Sequence, residues 1–432
     1  MKVLLVGSGG REHAIALSLK KSAQCEELVC APGNPGMIAL GKCVPVDVGD
    51  PHAILRVAKE NAVDFTVIGP EIPLVAGVVD LFKAEGLKIF GPTAAAARLE
   101  GSKAFSKEFM KRNGIPTAAY ETFTDLAKAK EFLKEHHAPI VVKASGLAAG
   151  KGAVVCATDN EALSAVEEML GEKAIFGESG KVVVIEEFMS GEEASVFAIC
   201  DGKDFVLLAP AQDHKRIFED DYKGSEPNLN TGGMGAYAPA PLVDEALLSR
   251  IKREIIEPTL AGMASEGNAF AGVLFVGIMV LEDRTPKVVE YNCRLGDPET
   301  QAVLAVYNGD LLELFLSAAD GKIGNLAVAD NNNKSQNYAA VVVMASKGYP
   351  AKYETGKVVL GLENAKKMGA VALHAGTKLN ASGELLTAGG RVFGVVGKGE
   401  TLKSAIAIAY AGVNEIKFEG AQFRKDIGHR AL

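Results

Sequence analysis

The sequence predicts a multidomain protein of mixed α/β and α+β class. A parallel-sheet α/β domain comes first, then a larger α+β core, then a small mixed C-terminal domain. Three observations predict this. The chain has 432 residues, too many for one compact core at roughly 150 residues per domain. Over residues 1–100, short apolar runs alternate with helix-like segments, the pattern of a parallel sheet with crossover helices. Beyond residue 100 that alternation gives way to strands grouped around glycine-rich turns and one long polar loop.

In the first region "KVLLV", "ELVCA", "DFTVIG" and "LKIFG" read as strands, with "REHAIALSLKKS" and "PLVAGVVDLFKAEG" as helices. Each strand runs into a loop rich in glycine or proline, and ligands bind at the carboxyl ends of such strands. "SKAFSKEFMKRNG" is a helix stopped by Gly114. From about 120 to 190 follow "PIVVK", a glycine loop, "GAVVCA", the helix "NEALSAVEEMLG" and "KVVVIEEF". From about 191 to 325 come "ASVFAIC", "FVLLAP", "AGVLFVGIMVL" and "KVVEYN", with a helix near 243–265. Residues 324–337 read as a linker. Residues 326–432 form the last domain, with strands in "YAAVVVMA" and "GRVFGVVG" and a helix in "LKSAIAIAYAGVNEI".

Hydrophobic residues make up 48% and charged residues 23% of the chain, as in ordinary globular proteins. The net charge is −8, and the longest basic cluster is His214-Lys215-Arg216. Neither nucleic acid nor a membrane surface is the expected partner, and cations for an anionic ligand must be local. Six cysteines without a Cys-x-x-Cys pair argue against zinc or a disulfide framework. The N-terminus lacks the apolar run of a signal peptide, and "AGVLFVGIMVL" is too short to span a bilayer. A cytoplasmic location is expected.

Five motifs carry the chemistry. "GSGGREHA" places Gly9 and Gly10 at a turn into a helix, where free N–H groups can hold a phosphate or simply connect strand to helix. Glu12 occupies the third glycine position of the dinucleotide fingerprint, which argues against nicotinamide or flavin. "KASGLAAGKG" joins two strands through Gly146, Gly150, Lys151 and Gly152, with Lys143 at the end of the first. It is no Walker loop, since a strand follows, and it suits a lid folding over phosphates. "VVVIEEFMSGEE" ends a strand in Glu186, Glu187 and Met189, a hinge able to meet an adenine edge, with Glu193 placed for ribose hydroxyls. The loop 212–237 holds Asp213, His214 and Lys215, then Asn230, Thr231, Gly232, Gly233, Met234 and Gly235, dense enough in glycine for close backbone approach to a small ligand. His214 can equally be structural. "VVEYNCRLGDPETQ" sets Glu290, Asn292 and Arg294 two residues apart, on one side of a strand if the strand persists. Carboxylate and amide oxygens suit Mg²⁺ or Mn²⁺ shared with substrate phosphates.

In order, these motifs resemble the ATP-grasp enzymes and, more closely, the glycinamide ribonucleotide synthetase family. The resemblance spans essentially the whole chain and is most specific in "NTGGMGAY" and "NCRLGDPETQ". It implies a domain before the grasp (1–100), an ATP-grasp core with two lobes (101–325) and a C-terminal domain (326–432). It implies a ligase that uses ATP, glycine and 5-phosphoribosylamine. By match to the family's motifs, Lys103 and Lys143 meet ATP phosphates, Glu186 and Met189 adenine, Glu193 ribose. Glu290 and Asn292 hold the metal. Asp213, Lys215, Arg294, Asp297 and the Thr231–Gly235 loop surround glycine and phosphoribosylamine, and Gly9, Gly10, Asn34 and Glu71 complete the sugar-phosphate site. Gly277 stands where many grasp enzymes carry a further acidic metal ligand, which leaves the number of ions open. A related carboxylate–amine ligase or carboxylase, or a non-catalytic nucleotide-binding protein, is the alternative.

Overall fold

A computed structural model describes residues 1–148, 152–171, 175–225, 227–326 and 337–432. The first sheet has five parallel strands in the order Lys42–Cys43, Glu27–Pro32, Lys2–Gly7, Phe65–Ile68, Ile89–Phe90. Its strands are buried on both faces. Leu4, Val6, Val29 and Ala31 enter one core; Val3, Leu5, Leu28 and Cys30 enter another. The strand order reverses between Lys2–Gly7 and Phe65–Ile68, which places the loops carrying Gly9 and Glu71 at the switch point. The segment expected as one helix is two, Glu71–Val75 and Val78–Ala84. Gly77 breaks it in the left-handed conformation, at φ +86°.

A four-stranded antiparallel sheet follows, in the order Tyr120–Phe123, Val183–Glu187, Ile140–Ala144, Ala153–Cys156. The helices Leu126–Glu135 and Asp159–Leu170 contribute to its core. Thr158 caps the second by accepting from Glu161 N. The next antiparallel sheet has the order Phe205–Leu207, Glu192–Asp201, Ala271–Val280, Pro286–Asn292. Between its last two strands the register shifts at Gly277/Ile278, beside Glu290. The helix expected near 243–265 runs from Glu245 to Ser265 with a π turn at Lys252–Ile256. That turn precedes Pro258, which lacks the N–H that an α-helix would need.

Besides Pro51–Glu60, Ala94–Gly101, Leu126–Glu135 and Leu362–Lys367, two core helices were not read from the sequence, Glu299–Val306 and Leu311–Ala319. Glu299–Val306 is buried almost all round, so no polar stripe marks its period, and Leu311–Ala319 follows it. Together they meet at 107°, and among the described residues no single helix is long and apolar enough to cross a membrane.

The last sheet is built on Tyr338–Ser346, Arg391–Gly399 and Val371–His374, covered by the helix Leu402–Glu415. It also takes two strands from the long polar loop. Gly235–Ala238 pairs with Tyr338–Ser346, and Gln212–Asp213 pairs with Gly235–Ala238. The loop expected within the core's large lobe is therefore hydrogen-bonded to the C-terminal sheet. The C-terminal tail clamps it further. Arg424, 1% exposed, donates to Asp426 Oδ2 at 2.6 Å and to Asp220 Oδ1 at 3.0 Å. Replacing Arg424 by Met keeps the stem but leaves Asp220 and Asp426 without their guanidinium, facing His429, at a cost of about 1–3 kcal/mol. Chemical unfolding should show that loss, and an unchanged midpoint would show that the clamp does not matter.

Candidate functional site

The three sheets and the C-terminal domain meet at one cleft of about 470 Å³. At one end, Lys107 and Lys143 both face Glu186. Their ammonium groups lie 2.8 and 3.0 Å from Glu186 Oε2. Glu186 is 2% exposed, and its Oε1 has no partner. Lys107 is the fourth residue after Lys103, on the same face of the helix Lys103–Arg112. Burial pushes its ammonium down to about 8, against the pull of Glu186. Burial also lowers Lys103, although Glu290 opposes that shift. Several buried cations thus share few acids, and each gains when a polyanion arrives.

Toward the middle, the strand Pro286–Asn292 brings Glu290 into the cleft. No ion pair or hydrogen bond closes on its carboxylate among the described residues. Burial would raise its pKa, but Lys103, Lys215, Lys143 and Arg294 hold it below the usual range. Asn292 Oδ1 accepts from Arg294 Nη2 at 3.0 Å. An ionised carboxylate with open lone pairs and a neighbouring amide oxygen fit a hard divalent cation. The strand ends at Asn292, one step short of the alternation expected from the sequence. Arg294 lies beyond it, yet still beside Asn292.

Arg294 is held by three segments. Its Nε is 3.2 Å from Glu71 Oε2, its Nη2 is 3.0 Å from Glu100 Oε1, and Asn292 is its third partner. Glu100 also accepts from Cys293 N at 2.7 Å. Beyond Arg294, Lys215 Nζ lies 2.9 Å from Asp213 Oδ2 and 3.3 Å from Glu193 Oε2. Withdrawal from water opposes its charge, but Asp213, Glu193, Glu299 and Glu290 raise its pKa well above the ordinary value. Asn230, Thr231 and Gly232 form the adjoining wall. Arg391, from the C-terminal sheet, donates to Gly232 O and Asp297 O at 2.8 Å each and lies 3.2 Å from Asp297 Oδ2.

The cleft thus gathers Lys103, Lys143, Gly152, Glu186, Glu187, Met189, Glu193, Asp213, Lys215, Asn230, Thr231, Gly232, Glu71, Glu290, Asn292, Arg294 and Asp297. Other expected positions lie elsewhere. His214 is 2% exposed and turned from the cleft, accepting from Gly428 N at 2.9 Å through Nε2. It is a structural histidine of the C-terminal clamp. Met234 packs with Ile217, Val343 and Ala345. Gly235 has no space for a side chain because Ile427 and Val341 O crowd it. Gly233, at φ +109°, packs on Pro298. Gly146 donates to Ser179 O rather than facing the cleft. Gly150 and Lys151 lie outside the described residues.

At the first glycine turn, Gly9 N donates to Glu12 Oε2 at 2.7 Å. The helix N-terminus already holds a resident carboxylate where an incoming phosphate was expected. Gly10 lies against Gln301 and Ala375, and Gly9 lies near Asp297. Asn34 spends its amide on Ser8 O, His374 O and Gly36 N, so it braces the loop.

Five charged cleft residues went unread: Arg11, Glu100, Lys107, Glu299 and Arg391. Lys107 carried a signal, its spacing from Lys103. Glu299 lies inside the motif "GDPETQ". Arg391 carried none, because nothing local tells that a strand 97 positions after Arg294 ends beside it.

Glu299 is 3% exposed, and burial and Asp213 push its carboxyl up to about 7. A carboxyl raised in the fold costs stability above that value. The cost fades as pH falls toward the unfolded value near 4.5. Glu299→Gln should therefore raise the melting temperature of the ligand-free protein at pH 8 and leave it unchanged near pH 4.5. A lower melting temperature at pH 8 would contradict this.

Residues 1–100, 101–300 and 339–430 match the N domain, the ATP-grasp (A) domain and the C domain of phosphoribosylglycinamide synthetase. Phosphoribosylamine–glycine ligase of Ralstonia nicotianae is 48% identical over 432 residues, covering 100% of both chains. That of Vibrio vulnificus is 47% identical over 435 residues, covering 100% of this chain and 99% of its own. The crystal structure of phosphoribosylamine–glycine ligase from Thermotoga maritima superposes with a TM-score of 0.82 at 33% identity, over 99% of this chain and 100% of its own. A biotin carboxylase from Campylobacter jejuni shares the fold alone, with a TM-score of 0.73 at 15% identity, over 98% of this chain and 92% of its own. The chain belongs to the phosphoribosylglycinamide synthetase family.

Proposed function

We propose that this chain is an ATP-dependent ligase of purine biosynthesis that joins glycine to 5-phosphoribosylamine, giving glycinamide ribonucleotide, ADP and phosphate. The observation that carries the reading is a single cleft in which the buried lysines Lys103, Lys107 and Lys143, a Glu290 without a partner among the described residues, and the Arg294–Lys215–Asp213 cluster meet. The named relatives support the same reaction. Synthesis from such small polar molecules fits a cytoplasmic location.

Glycine carboxylate is a poor electrophile, because its leaving group would be an oxide. Transfer of the γ-phosphoryl group turns it into glycyl phosphate; the amine of phosphoribosylamine then attacks the carbonyl carbon, and phosphate leaves. Lys103 and Lys143 stand where they can balance phosphate charge, and Arg294 and Lys215 where they can balance charge on the transferring oxygens. Glu290 and Asn292 would hold Mg²⁺ or Mn²⁺, which when bound neutralises phosphate oxygens. Glu186 Oε1, buried and without a donor, can accept from the amino group of adenine. Arg391 and Asp297 stand beside the loop that would cover the phosphoribosyl group.

Mixing the protein with ATP, Mg²⁺, glycine and freshly made phosphoribosylamine should yield glycinamide ribonucleotide by mass. ADP without that product would overturn the reading. Glu290→Gln keeps the side chain's shape and removes its charge. Turnover should fall on the order of a hundredfold, since such a term is worth several kcal/mol at 1.36 kcal/mol per decade. Excess Mg²⁺ should restore only part of it, and near-normal turnover at limiting Mg²⁺ would exclude Glu290 as a ligand. In this reading the wall at Thr231 and Gly232 closes on the amino acid's Cα. L-alanine should be disfavoured by roughly 10- to 200-fold in kcat/KM, whereas equal constants would show that the wall is not there.

A further inference from the structure

At the Glu186 end of the cleft, two ammonium groups share one carboxylate oxygen. Lys107 Nζ lies 2.8 Å and Lys143 Nζ 3.0 Å from Glu186 Oε2, while Oε1 is buried without a donor. The two lysines are held differently. Lys107 comes from inside the helix Lys103–Arg112 and also donates to Thr117 Oγ1 at 2.8 Å. Thr117 spends its own hydroxyl hydrogen on Val288 O at 2.7 Å, so its oxygen is fixed as an acceptor for Lys107. Lys143 stands one residue before the end of the strand Ile140–Ala144. Besides Glu186, its partner among the described residues is a backbone carbonyl, Val289 O at 3.2 Å. Each ammonium opposes the charge of the other, since both press on the same oxygen. Lys107 is therefore the tethered cation of the pair, and Lys143 the one with less to lose by leaving.

We propose that Lys107 is a positioning residue for the nucleotide's base: it keeps hold of Glu186 Oε2, which preserves Oε1 as the acceptor for the adenine amino group and releases Lys143 to the phosphates. The inference rests on the reading that this end of the cleft takes ATP, and it names the residue through which Glu186 discriminates. In the empty protein Lys143 rests on Glu186. A triphosphate offers Lys143 more charge than half a share of one carboxylate. Its departure alone would leave Glu186 buried without a cation, a costly state. Lys107 prevents that, and it also loses the ammonium that opposed it. The charged and titratable groups facing Lys107 are Glu186 and Glu187 from one strand, Lys143 from the next, and Tyr120 from a third, with its ring 5.8 Å away. Burial brings the Lys107 ammonium down to about 8, so its hold weakens above that pH.

Steady-state kinetics on the full chain, with ATP and with purine riboside triphosphate, test this. The second nucleotide lacks only the 6-amino group. The wild type should prefer ATP by roughly tenfold or more in kcat/KM, the size of a hydrogen bond to a charged group. Lys107→Met keeps the stem and removes the charge. It should weaken both triphosphates, because Lys143 stays with Glu186. It should also bring the preference for ATP to within about threefold, because Glu186 turns to its remaining cation and the bond to the amino group is lost. KM for glycine at saturating triphosphate should not move. In the wild type the preference should fall as pH rises through about 8, because kcat/KM follows the free enzyme's groups, and the variant should show no such fall. A preference unchanged in Lys107→Met, whether activity is kept or is lost equally for both triphosphates, would overturn the assignment. A wild type without a preference would overturn Glu186 as the acceptor for adenine, leaving Lys107 nothing to position. A wild type that makes no product from ATP would overturn the proposed reaction itself. If Lys107→Met fails to fold, Thr117→Val removes the second acceptor of Lys107 and carries the same comparison. A smaller fall in preference is then expected, and an unchanged one overturns the assignment.

Discussion

The guanidinium of Arg294 is where the molecule's parts are held in register. It reaches Glu71 from the switch point of the first sheet, Glu100 from the end of the helix Ala94–Gly101, and Asn292 from the strand that carries Glu290. None of these partners is its sequence neighbour except Asn292. Burial would make an isolated guanidinium costly, so the partners must be present together. Burial pushes Glu71 up, but Arg294 and Arg11 hold it below the usual carboxylate range. Glu71 and Glu290 are therefore kept ionised, and Arg294 is fixed, before any substrate enters.

The rest of the cleft is arranged as two imbalances of opposite sign. Around Glu186 and Glu290, cations outnumber the acids, and burial depresses Lys103 and Lys107. Around Lys215, acids outnumber the cation, and Glu299 is raised. A triphosphate with a divalent ion suits the first environment, and an ammonium suits the second. Each is unfavourable in the empty protein and is relieved by binding, so the field itself sorts the charged ends of the ligands. The C-terminal clamp works differently. His214, Asp220, Asp426 and His429 bring four ligand atoms within 4.8 Å of one another. Arg424 already supplies their cation, and His214 Nε2 is taken by Gly428 N. That cluster is a fastening.

Much of this was legible in the sequence because it is local. Short apolar runs gave strands in all four main sheets, though not Lys42–Cys43, Tyr120–Phe123, Val371–His374 or the two strands of the long loop, and residues two apart on one strand gave the Glu290–Asn292 pair. Long-range facts were not legible. Nor was one local choice of side-chain direction: Glu12 takes the N–H of Gly9, which turns an expected anion site into a self-capped turn. His214 looked equally suited to solvent, ligand or core, and only the tail at Gly428 decides it. The helix Glu299–Val306, buried almost all round, lost its period. Arg391 and Asp297 are 94 residues apart, and no local pattern could pair them.

The placement of the Asp213–Gly235 loop follows from that same long-range logic. Its two ends are strands of the C-terminal sheet, through Gln212↔Tyr237 and Gly235↔Val342. Its middle is pinned by Arg424 at Asp220 and by Arg391 at Gly232. A loop of this length and glycine content would carry a large ordering cost if left free. Hanging it on a rigid sheet moves that cost from substrate binding to folding. Asp213, Lys215 and Thr231 then sit on a frame separate from the sheet that carries Lys143 and Glu186. The two ends of the cleft are thus built on different sheets, and Arg294, which follows the last strand of a third, is held between them by Glu71, Glu100 and Asn292.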